Sequence, residues 1–444
     1  MERTFFGGEK QTISEPGAGK NPLPSAVLQI HKTPAVRWAF FLLKRSQKSK
    51  IMEDKIMKKT LSMLLALILT LSMLSACGSG NTAQTTAPET TAQTEQTVPE
   101  TEQAQAAAGD TKFVTDAYGN QVEIPAKVDR LVETSYAPLS SLIYVVTGRS
   151  DVMAAMSQTA ADGYDISMWK VIEPDLKPNV ASIIKDNAIN FEELAKYQPQ
   201  VVLCNKSVYD ANAEQLKAIG TVPVMIKFGN FEDVQEVIRI VGEIFDCQDR
   251  AASLIAYQQG ILSYFDQKAD QLPAEKTKAL YLNRSNGDGT YKVFTGKHLA
   301  SKMLAAAGFR NVAQDLEEST IVSVDMEQIL AWDPDVIFLS NFDSFTPASF
   351  TDGSQGEFWK QISAVKNEKI YKTPVGMYRW DTFCVETPLM VKWLGQVGNP
   401  DIFTEYNLED DIRDFYATYM NYTLTEEDLA KILNKDVNIY LKQE

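Results

Sequence analysis

The chain has 444 residues, a formal net charge of −15 at pH 7 and a sequence pI near 4.8. A length of this order accommodates roughly two or three domains. The acidic balance argues against nucleic acid as a partner and against electrostatic attachment to anionic lipid. The four cysteines, Cys77, Cys204, Cys247 and Cys384, have no spacing typical of a metal site or a disulfide framework.

Residues 57–77 are predicted to be a lipoprotein signal peptide. The segment MKKTLSMLLALILTLSMLSAC carries two lysines, an apolar run from Leu61 to Leu74, and small residues before Cys77. The run is shorter than the ~20 residues of a membrane-spanning helix, which favours a processed signal over the alternative of an uncleaved anchor. The residues LSAC that end at Cys77 resemble a bacterial lipobox. Cys77 is therefore expected to carry lipid and to hold the mature, extracytoplasmic protein on the outer face of the bacterial cell membrane.

The segments on either side of this signal are not predicted to fold. Residues 1–56 show no sustained hydrophobic period and are interpreted as a spurious or disordered extension, with translation starting at Met52 or Met57. Residues 78–111 consist largely of Thr, Ala, Gln, Glu, Gly and Ser, which bury too little apolar surface to offset the entropy of ordering. As a coil this stretch spans on the order of 30 Å, so it is predicted to be a tether.

From residue 112 onward, strand patterns and helix patterns alternate. Residues 113–125 alternate around a turn at 118–120 and predict a hairpin. Further strands are predicted at Leu131–Thr134, Val152–Met156, Val201–Cys204, Val222–Lys227, Lys278–Asn283, Tyr291–Thr295, Val336–Ser340 and Lys369–Lys372. Helices are predicted at Ala137–Val146 with Ser135 as N-cap, Phe231–Phe245, His298–Ala307, Thr387–Val397, Glu409–Tyr419 and Thr425–Leu441. This alternation is typical of an α/β protein with mainly parallel sheets and helices on both faces.

The longest predicted helix runs from Gln248 to Leu272. Apolar or spacer residues recur in it at steps of three and four, which places one stripe along one face. Asp249 suits the positive N-terminal end of a helix, and Pro273 cannot continue one. Such a helix reaches roughly 37 Å, about the width of a small domain. Residues 247–273 are therefore predicted to bridge two folded lobes; an ordinary surface helix of one large domain is the alternative.

An internal repeat supports two lobes of similar build. Residues 191–205 (FEELAKYQPQVVLCN) and 326–340 (MEQILAWDPDVIFLS) each predict a short amphipathic helix, a proline, and an apolar run of strand length. Two α/β lobes, 112–246 and 274–444, joined by one long helix are an architecture typical of binding proteins.

Six segments in chain order carry a family resemblance. They are VTDAYGNQVEIPAKVDRLVE from residue 114, FEELAKYQPQVVL from 191, LKAIGTVPV from 216, AAAGFRNVA from 305, VSVDMEQILAWDPDVIFLS from 322 and ISAVKNEKIYKTP from 362. Together they resemble the substrate-binding lipoproteins of ABC importers for iron–siderophore complexes and vitamin B12, over about residues 112–442. The resemblance implies two Rossmann-like lobes with mainly parallel sheets, bridged by one long helix, with the ligand cleft between the lobes.

The function implied by the resemblance is that of an extracytoplasmic receptor, with no catalysis and no intrinsic cofactor. The receptor would capture a metal chelate, with a ferric siderophore as the leading ligand, and deliver it to a membrane permease and its ATPase subunits. Cobalamin or another corrinoid, or haem, is the alternative ligand, and a monomer is expected. A cell-surface enzyme or adhesin on the same tether is the alternative of another class, but the sequence contains no GxSxG, P-loop or GxGxxG motif.

His298 is the one histidine that follows the signal peptide. Beside Lys297 at a predicted helix start, it is interpreted as a surface residue rather than a ligand. A single histidine also argues against the binding proteins for bare zinc or manganese, which use several imidazoles and carboxylates. No metal site is predicted in the protein, and any metal is expected to arrive already chelated.

Candidate ligand contacts are placed where strands end, since open α/β sheets bind ligands beyond the carboxyl ends of their strands. The predicted contacts are Tyr136, Ser157, Trp169, Asn205 and Lys206 in the first lobe and Arg284, Tyr378, Arg379 and Trp380 in the second. The two arginines would bind the anionic part of a ferric catecholate, and the second-lobe tyrosine and tryptophan would contact its planar part. The alternative for Arg379 is an internal ion pair with Asp381 or Glu386.

The resemblance also implies an acidic residue at the top of each lobe, where it meets arginines of the permease. Glu192 matches the first-lobe position. The corresponding helix start in the second lobe, residues 295–298, contains no acid. Either the partner permease differs there, or another acid serves, such as Glu327, which aligns with Glu192 in the internal repeat.

Overall fold

The structure is a computed structural model in which residues 110–134, 136–185, 188–316 and 319–438 are described. The predicted N-terminal extension, the signal peptide with Cys77 and nearly all of the tether lie outside these residues. Residues 110–438 belong to a single contact unit. None of the helices among the described residues is long and apolar enough to span a lipid bilayer.

The first lobe is built on a parallel four-stranded sheet in the order β4-β3-β7-β8, preceded by an antiparallel hairpin of β1 and β2. The strands of this lobe are β1 (Thr111–Thr115), β2 (Gln121–Pro125), β3 (Leu131–Glu133), β4 (Met153–Ala155), the short antiparallel pair β5 (Ile184–Lys185) and β6 (Ala188–Ile189), β7 (Val201–Cys204) and β8 (Val222–Met225). Every residue of β7 is buried, as expected of a strand covered on both faces. The predicted hairpin at 113–125 is confirmed, and Asp116 holds its turn by accepting the N–H groups of Tyr118 and Asn120.

Helices cover this sheet and lead into the bridging helix. They are α1 (Leu139–Thr147), α2 (Gln158–Asp165), α3 (Met168–Ile172), α4 (Phe191–Tyr197), α5 (Lys206–Ala218) and α6 (Phe231–Ile244). The expectation that Ser135 caps the first helix is wrong, because α1 begins after Pro138.

The bridging helix α7 (Gln248–Lys268) connects the two lobes and continues into a single 3₁₀ turn, Ala269–Gln271. Its buried residues recur at steps of three and four: Ala251, Leu254, Gln258, Ile261 and Phe265. This spacing forms one stripe along the helix. The polar member of the stripe, Gln258, donates from Nε2 to the carbonyl of Val385 in the second lobe (2.8 Å). The bridging helix is thereby tied to the second lobe by a hydrogen bond as well as by apolar contact.

The second lobe is built on a mixed sheet in the order β12-β10-β9-β13-β14, with β11 pairing beside β9. Its strands are β9 (Thr277–Ser285), β10 (Thr290–Phe294), β11 (Phe309–Asn311), β12 (Ile321–Asp325), β13 (Val336–Leu339) and β14 (Ile370–Lys372). Strand β9 pairs parallel with β11 and β13, and β13 pairs parallel with β14. Strand β10 pairs antiparallel with β9 and β12. The predicted fold class, two α/β lobes with mainly parallel sheets bridged by one long helix, is confirmed.

Helices cover the second sheet and close the chain. They are α8 (Leu299–Ala306), α9 (Met326–Trp332), α10 (Pro347–Thr351), α11 (Ser363–Lys366), α12 (Thr387–Gly398), α13 (Leu408–Met420) and α14 (Glu426–Ile432), with a 3₁₀ helix at Glu357–Gln361. The last predicted helix, Thr425–Leu441, is shorter than expected, because turns follow Ile432.

The internal repeat is present in the structure down to its helix caps. Helices α4 and α9 have seven residues each. Asn190 and Asp325 are their N-caps, and each side chain accepts the N–H of the third helical residue. Gln198 and Asp333 end the helices in the left-handed conformation, with φ of 43° and 41°. The two lobes therefore place these helices and the following strands in the same local geometry.

Candidate ligand-binding cleft

A cavity of about 580 Å³ lies between the two lobes. Both lobes contribute polar and aromatic groups to its wall, among them Glu133, Thr134, Tyr136, Ser157, Gln158 and Thr159 from the first lobe and Asn283, Arg284, Phe294, His298, Phe342, Tyr378 and Thr382 from the second. Many of these residues end or follow β3, β4 and β9, as expected for ligand sites of open α/β sheets. The volume falls in the range of small-molecule sites.

Arg284 is the positively charged side chain of the cavity wall. It lies near the end of β9 and is exposed, and its side chain has no hydrogen bond or ion pair to the described residues. Glu133, at the end of β3, is the negative group of the wall, but its carboxylate is buried and accepts the N–H of Tyr136 (3.0 Å). The guanidinium is therefore the charge that remains available to a ligand, and it is suited to oxygen-bearing anions.

The interpretation of His298 as a surface residue is wrong, because its side chain is 6 % exposed and lines the cavity. It is the N-cap of α8: its Nδ1 accepts the N–H of Ala300 (3.1 Å). Its ring stacks on Phe294 with centroids 3.8 Å apart and planes at 5°. Burial lowers the pKa of His298 to about 3, so the imidazole is neutral.

Tyr136, Ser157 and Tyr378 lie in the wall at positions that the sequence predicted. Ser157 caps α2 by accepting the N–H of Ala160 (3.2 Å). Tyr136 packs against Phe228, with ring centroids 4.9 Å apart. Burial raises the pKa of Tyr136, and it raises that of Tyr378 to about 12, so both rings present phenols rather than phenolates.

Trp169 is one of five predicted contacts that the structure places outside the cavity wall. Its side chain is buried in the first lobe, where it stacks on Tyr144 with ring centroids 5.1 Å apart. The short helix α3 turns this ring toward the core, since aromatic area is stabilised by burial.

Asn205 and Lys206 also lie away from the cavity. Asn205 is the N-cap of α5 and accepts the N–H of Val208 (2.9 Å). Lys206 is exposed and pairs with Asp210 one turn along the same helix (2.7 Å). Both residues follow a strand, as predicted, but they serve the start of the next helix.

Arg379 and Trp380 lie behind the cavity wall. Arg379 is 6 % exposed; its Nε donates to the carbonyl of Asn341 (3.0 Å), and its guanidinium lies over the Phe342 ring at 4.3 Å. Among the residues that the structure describes, Arg379 forms no salt bridge, so the alternative of an ion pair with Asp381 or Glu386 is wrong.

Trp380 is fully buried. The loop that carries it is anchored at both sides: Gly376 accepts the N–H of Met168 in the first lobe (2.9 Å), and Glu386 accepts the N–H of Met377 (2.7 Å). These contacts draw the loop into the junction between the lobes. Tyr378 alone of the predicted Tyr-Arg-Trp cluster then lines the cavity.

Sequence reasoning missed several wall residues, notably Asn283, Phe294, His298 and Phe342. Asn283 directly precedes the predicted Arg284 on β9. His298 is a polar residue at a helix start, which is a sequence signal for an N-cap. Phe294, four positions earlier, is an aromatic residue that can stack on it. Phe342 follows a buried strand by three residues and carries no comparable signal.

The periplasmic binding protein family model matches residues 147–375, more than half of the chain. The chain belongs to the periplasmic binding protein family. It is similar to a solved periplasmic solute-binding protein from Veillonella parvula, with 38 % identity, a TM-score of 0.67, and coverage of 74 % of this chain and 99 % of that one.

Two further relatives belong to ABC transporters. The substrate-binding lipoprotein YvrC of Bacillus subtilis is 24 % identical over 263 residues, which cover 58 % of this chain and 76 % of YvrC. The molybdate-binding protein MolA of Haemophilus influenzae is 19 % identical over 346 residues, covering 72 % of this chain and 94 % of MolA. The molybdate-bound structure of MolA has a TM-score of 0.60 and supports the fold alone. This periplasmic binding protein is thus the solute-binding component of an ABC transporter and not an enzyme.

Proposed function

We propose that this periplasmic binding protein captures an anionic metal chelate, with a ferric siderophore as the leading ligand, and delivers it to the permease of an ABC importer. The observation that carries the proposal is the exposed guanidinium of Arg284, which has no partner among the described residues and lies in a cavity of about 580 Å³. An arginine binds oxygen-bearing anions through several donors at once. The neighbouring rings of Phe342 and Tyr378 offer flat apolar surface to the planar parts of a chelator.

The cavity volume favours a chelate over a bare oxyanion such as the molybdate that MolA binds. A tetrahedral oxyanion displaces about the volume of three waters, roughly 90 Å³. It would leave most of the 580 Å³ cavity unfilled. A ligand of drug-like size fills a cavity of this order and buries most of its own surface there. A corrinoid or haem is the alternative chelate of larger size.

Isothermal titration calorimetry of the purified protein tests this proposal. The titrants are ferric catecholate and hydroxamate chelates, cobalamin, haemin and molybdate. The expectation is tight binding of at least one ferric chelate and weaker binding of molybdate. Binding of molybdate or cobalamin alone would reject the siderophore and identify the alternative.

Arg284→Gln provides the matching variant. It should weaken binding of the ferric chelate about ten- to a hundredfold, since a hydrogen bond to a charged group contributes roughly 1.5–3 kcal/mol. Lys292→Gln is the control, because Lys292 pairs directly across from Arg284 in the β9–β10 register and does not line the cavity. Equal losses in both variants would indicate a long-range charge effect and not a contact.

We also propose that lipid on Cys77 anchors the protein to the outer face of the cell membrane. The lipobox-like sequence before Cys77 supports this, as does the lipoprotein description of the relative YvrC. Cys77→Ala should abolish incorporation of labelled fatty acid and leave the signal uncleaved or the protein released. Mass spectrometry that finds a mature N-terminus upstream of Met57 would contradict the anchor.

A further inference from the structure

The hydrogen-bonding state of His298 is fixed by the start of helix α8. The N–H of Ala300 donates to Nδ1 of His298 (3.1 Å), so Nδ1 carries a lone pair and no hydrogen. A neutral imidazole has one N–H, which must then be on Nε2. Nε2 has no partner among the described residues and is not among the fully enclosed polar atoms, so its N–H faces the cavity that His298 lines.

The imidazole ring is also fixed in position. One face of the ring stacks on Phe294 in the second-lobe wall, with 3.8 Å between the ring centroids. Binding of a metal at Nε2 would require that nitrogen to lose its hydrogen, and a neutral ring would then carry hydrogen on Nδ1. That hydrogen would oppose the N–H of Ala300 and remove the cap of α8. The geometry therefore favours His298 as a hydrogen-bond donor over His298 as a metal ligand.

The two tyrosines of the wall are equally poor metal ligands. Burial raises the pKa values of Tyr136 and Tyr378, which keeps their oxygens protonated. The hydroxyl of Tyr378 points toward the carbonyl of Thr159 across the lobe junction (3.5 Å). Within the described parts of the chain, no three His, Cys, Asp or Glu side chains are grouped so that they would hold a metal ion.

We infer that the cleft selects a coordinatively saturated anionic chelate, and that His298 is a specificity-determining residue that donates its Nε2–H to an oxygen of that chelate. Arg284 on the same second-lobe wall supplies the complementary positive charge. A chelate with open coordination positions would gain no metal ligand from His298, Tyr136 or Tyr378, because these groups keep their hydrogens, and the buried carboxylate of Glu133 already accepts the N–H of Tyr136. The inference rests on the proposed function, since it specifies which metal chelates the receptor takes.

Nitrogen NMR of the full chain labelled with ¹⁵N-histidine tests the donor directly. A His31→Gln background leaves His298 as the single histidine. The free protein should show the Nε2–H tautomer. Adding a gallium(III) tris-catecholate, a diamagnetic stand-in for the ferric complex, should shift the Nε2–H proton and leave that hydrogen in place. An Nδ1–H tautomer in the free protein, or loss of the Nε2–H with the complex bound, would overturn the inference.

Visible spectroscopy tests saturation with two ferric probes, a hexadentate tris-catecholate and a tetradentate bis-catecholate. The hexadentate complex should bind at least as tightly as the tetradentate one, and the charge-transfer band of each should keep its position on binding. A band shift of the tetradentate complex that disappears in His298→Asn would show a protein ligand on the metal and overturn the inference.

His298→Asn is the variant of choice, because asparagine is a good N-cap and preserves the start of α8, while its shorter amide side chain places no N–H at the position of Nε2. Its affinity for the tris-catecholate should fall about tenfold, in the range of a hydrogen bond to a charged group. Unchanged affinity in a folded variant would overturn the inference. Failure of every ferric chelate to bind the wild type would instead overturn the proposed function, and the tautomer measured in the free protein separates the two results.

Discussion

The ring of Tyr378 in the second lobe lies directly over the α-carbon of Gly163 in the first lobe. A Cβ at position 163 would lie 2.8 Å from Cδ2 of that ring and would overlap Cε2. The backbone hydrogen bond from the N–H of Met168 to the carbonyl of Gly376 lies in the same junction. The absence of a side chain at position 163 therefore permits the lobe contact that places Tyr378 in the cavity wall.

Gly163→Ala should disturb this junction. A methyl group there forces the ring or helix α2 to shift, and overpacking of this kind costs about 1–3 kcal/mol. Because Tyr378 lines the cavity, affinity for the chelate should fall as well. Denaturant unfolding and calorimetry of the same preparation measure both effects.

Gly260→Ala is the matched control. Gly260 lies in the bridging helix, and a Cβ there would meet nothing within 4 Å. Alanine is favoured over glycine in a helix interior by about 1 kcal/mol, so this variant should be slightly stabilised with unchanged affinity. A Gly163→Ala protein that behaves like the control would show that the ring accommodates the methyl group.

Trp380 should behave as a core residue in mutagenesis. The sequence predicted that Trp380 contacts the ligand, but the side chain is fully buried and lies outside the cavity wall. Trp380→Ala should therefore lower the free energy of unfolding by about 3–5 kcal/mol. Thermal unfolding checks this, and Trp380→Phe should retain most of the stability. A normal melting temperature with lost affinity would restore Trp380 to the ligand site.

The architecture was predictable because it depends on periodic signals. The bridging helix shows steps of three and four between buried residues, and the repeat at 191–205 and 326–340 shows a helix, a proline and an apolar strand in the same order. Such patterns are local, since each residue's burial follows from its place in its own element. The sequence therefore predicted both lobes and their connection.

The cleft was only partly predictable because its wall depends on contacts between the lobes. Arg284 was found because it lies near the carboxyl end of a strand. Tyr378, Arg379 and Trp380 are consecutive, and nothing in the local pattern distinguishes the one that faces the cavity from the two that face the interior. That difference follows from the docking of their loop on the first lobe. His298 was missed because a capping histidine has no hydrophobic period of its own.

Stability should fall between pH 7 and pH 5 in part through His298. Its folded-state pKa of about 3 lies below the ordinary value of 6.5, because burial disfavours the charged ring. The unfolded chain therefore binds more protons in this window, so acidification favours unfolding. Since the folded-state pKa is well below 5, protonation of His298 in the unfolded chain lowers the free energy of unfolding by about 2 kcal/mol at pH 5.

Glu386 acts in the opposite direction over an overlapping window. Burial raises its pKa from 4.5 to about 7, so the folded state binds more protons and gains stability as the pH falls from 7 toward 4.5. The total pH dependence therefore does not isolate His298. Urea unfolding of His298→Asn and the wild type at pH 7 and pH 5 separates the two contributions, because Glu386 is present in both proteins. Between these pH values, the free energy of unfolding should fall by about 2 kcal/mol less in the variant than in the wild type. Parallel pH dependences would contradict the neutral, buried imidazole.

Glu192 and Glu327 are equivalent in the internal repeat, and both are exposed in the first turns of helices with matching caps. We predict that they form a docking pair for basic residues of the permease, which would supply the second-lobe acid that the segment at 295–298 lacks. Glu192→Arg and Glu327→Arg should each slow uptake in cells through electrostatic mismatch, with a larger loss in the double variant. Ligand affinity should be unchanged, since neither residue lines the cavity.

Asp270→Arg controls for the reversal of charge itself, because Asp270 is exposed in the turn at the far end of the bridging helix. It should leave uptake at the wild-type rate. Raising the ionic strength should reduce the difference between the wild type and the two glutamate variants, because exposed charges are screened within about 10 Å at 0.1 M salt. Wild-type uptake by Glu327→Arg together with slow uptake by Glu192→Arg would restrict docking to the first lobe. Wild-type uptake by both would place the permease contact elsewhere on the protein.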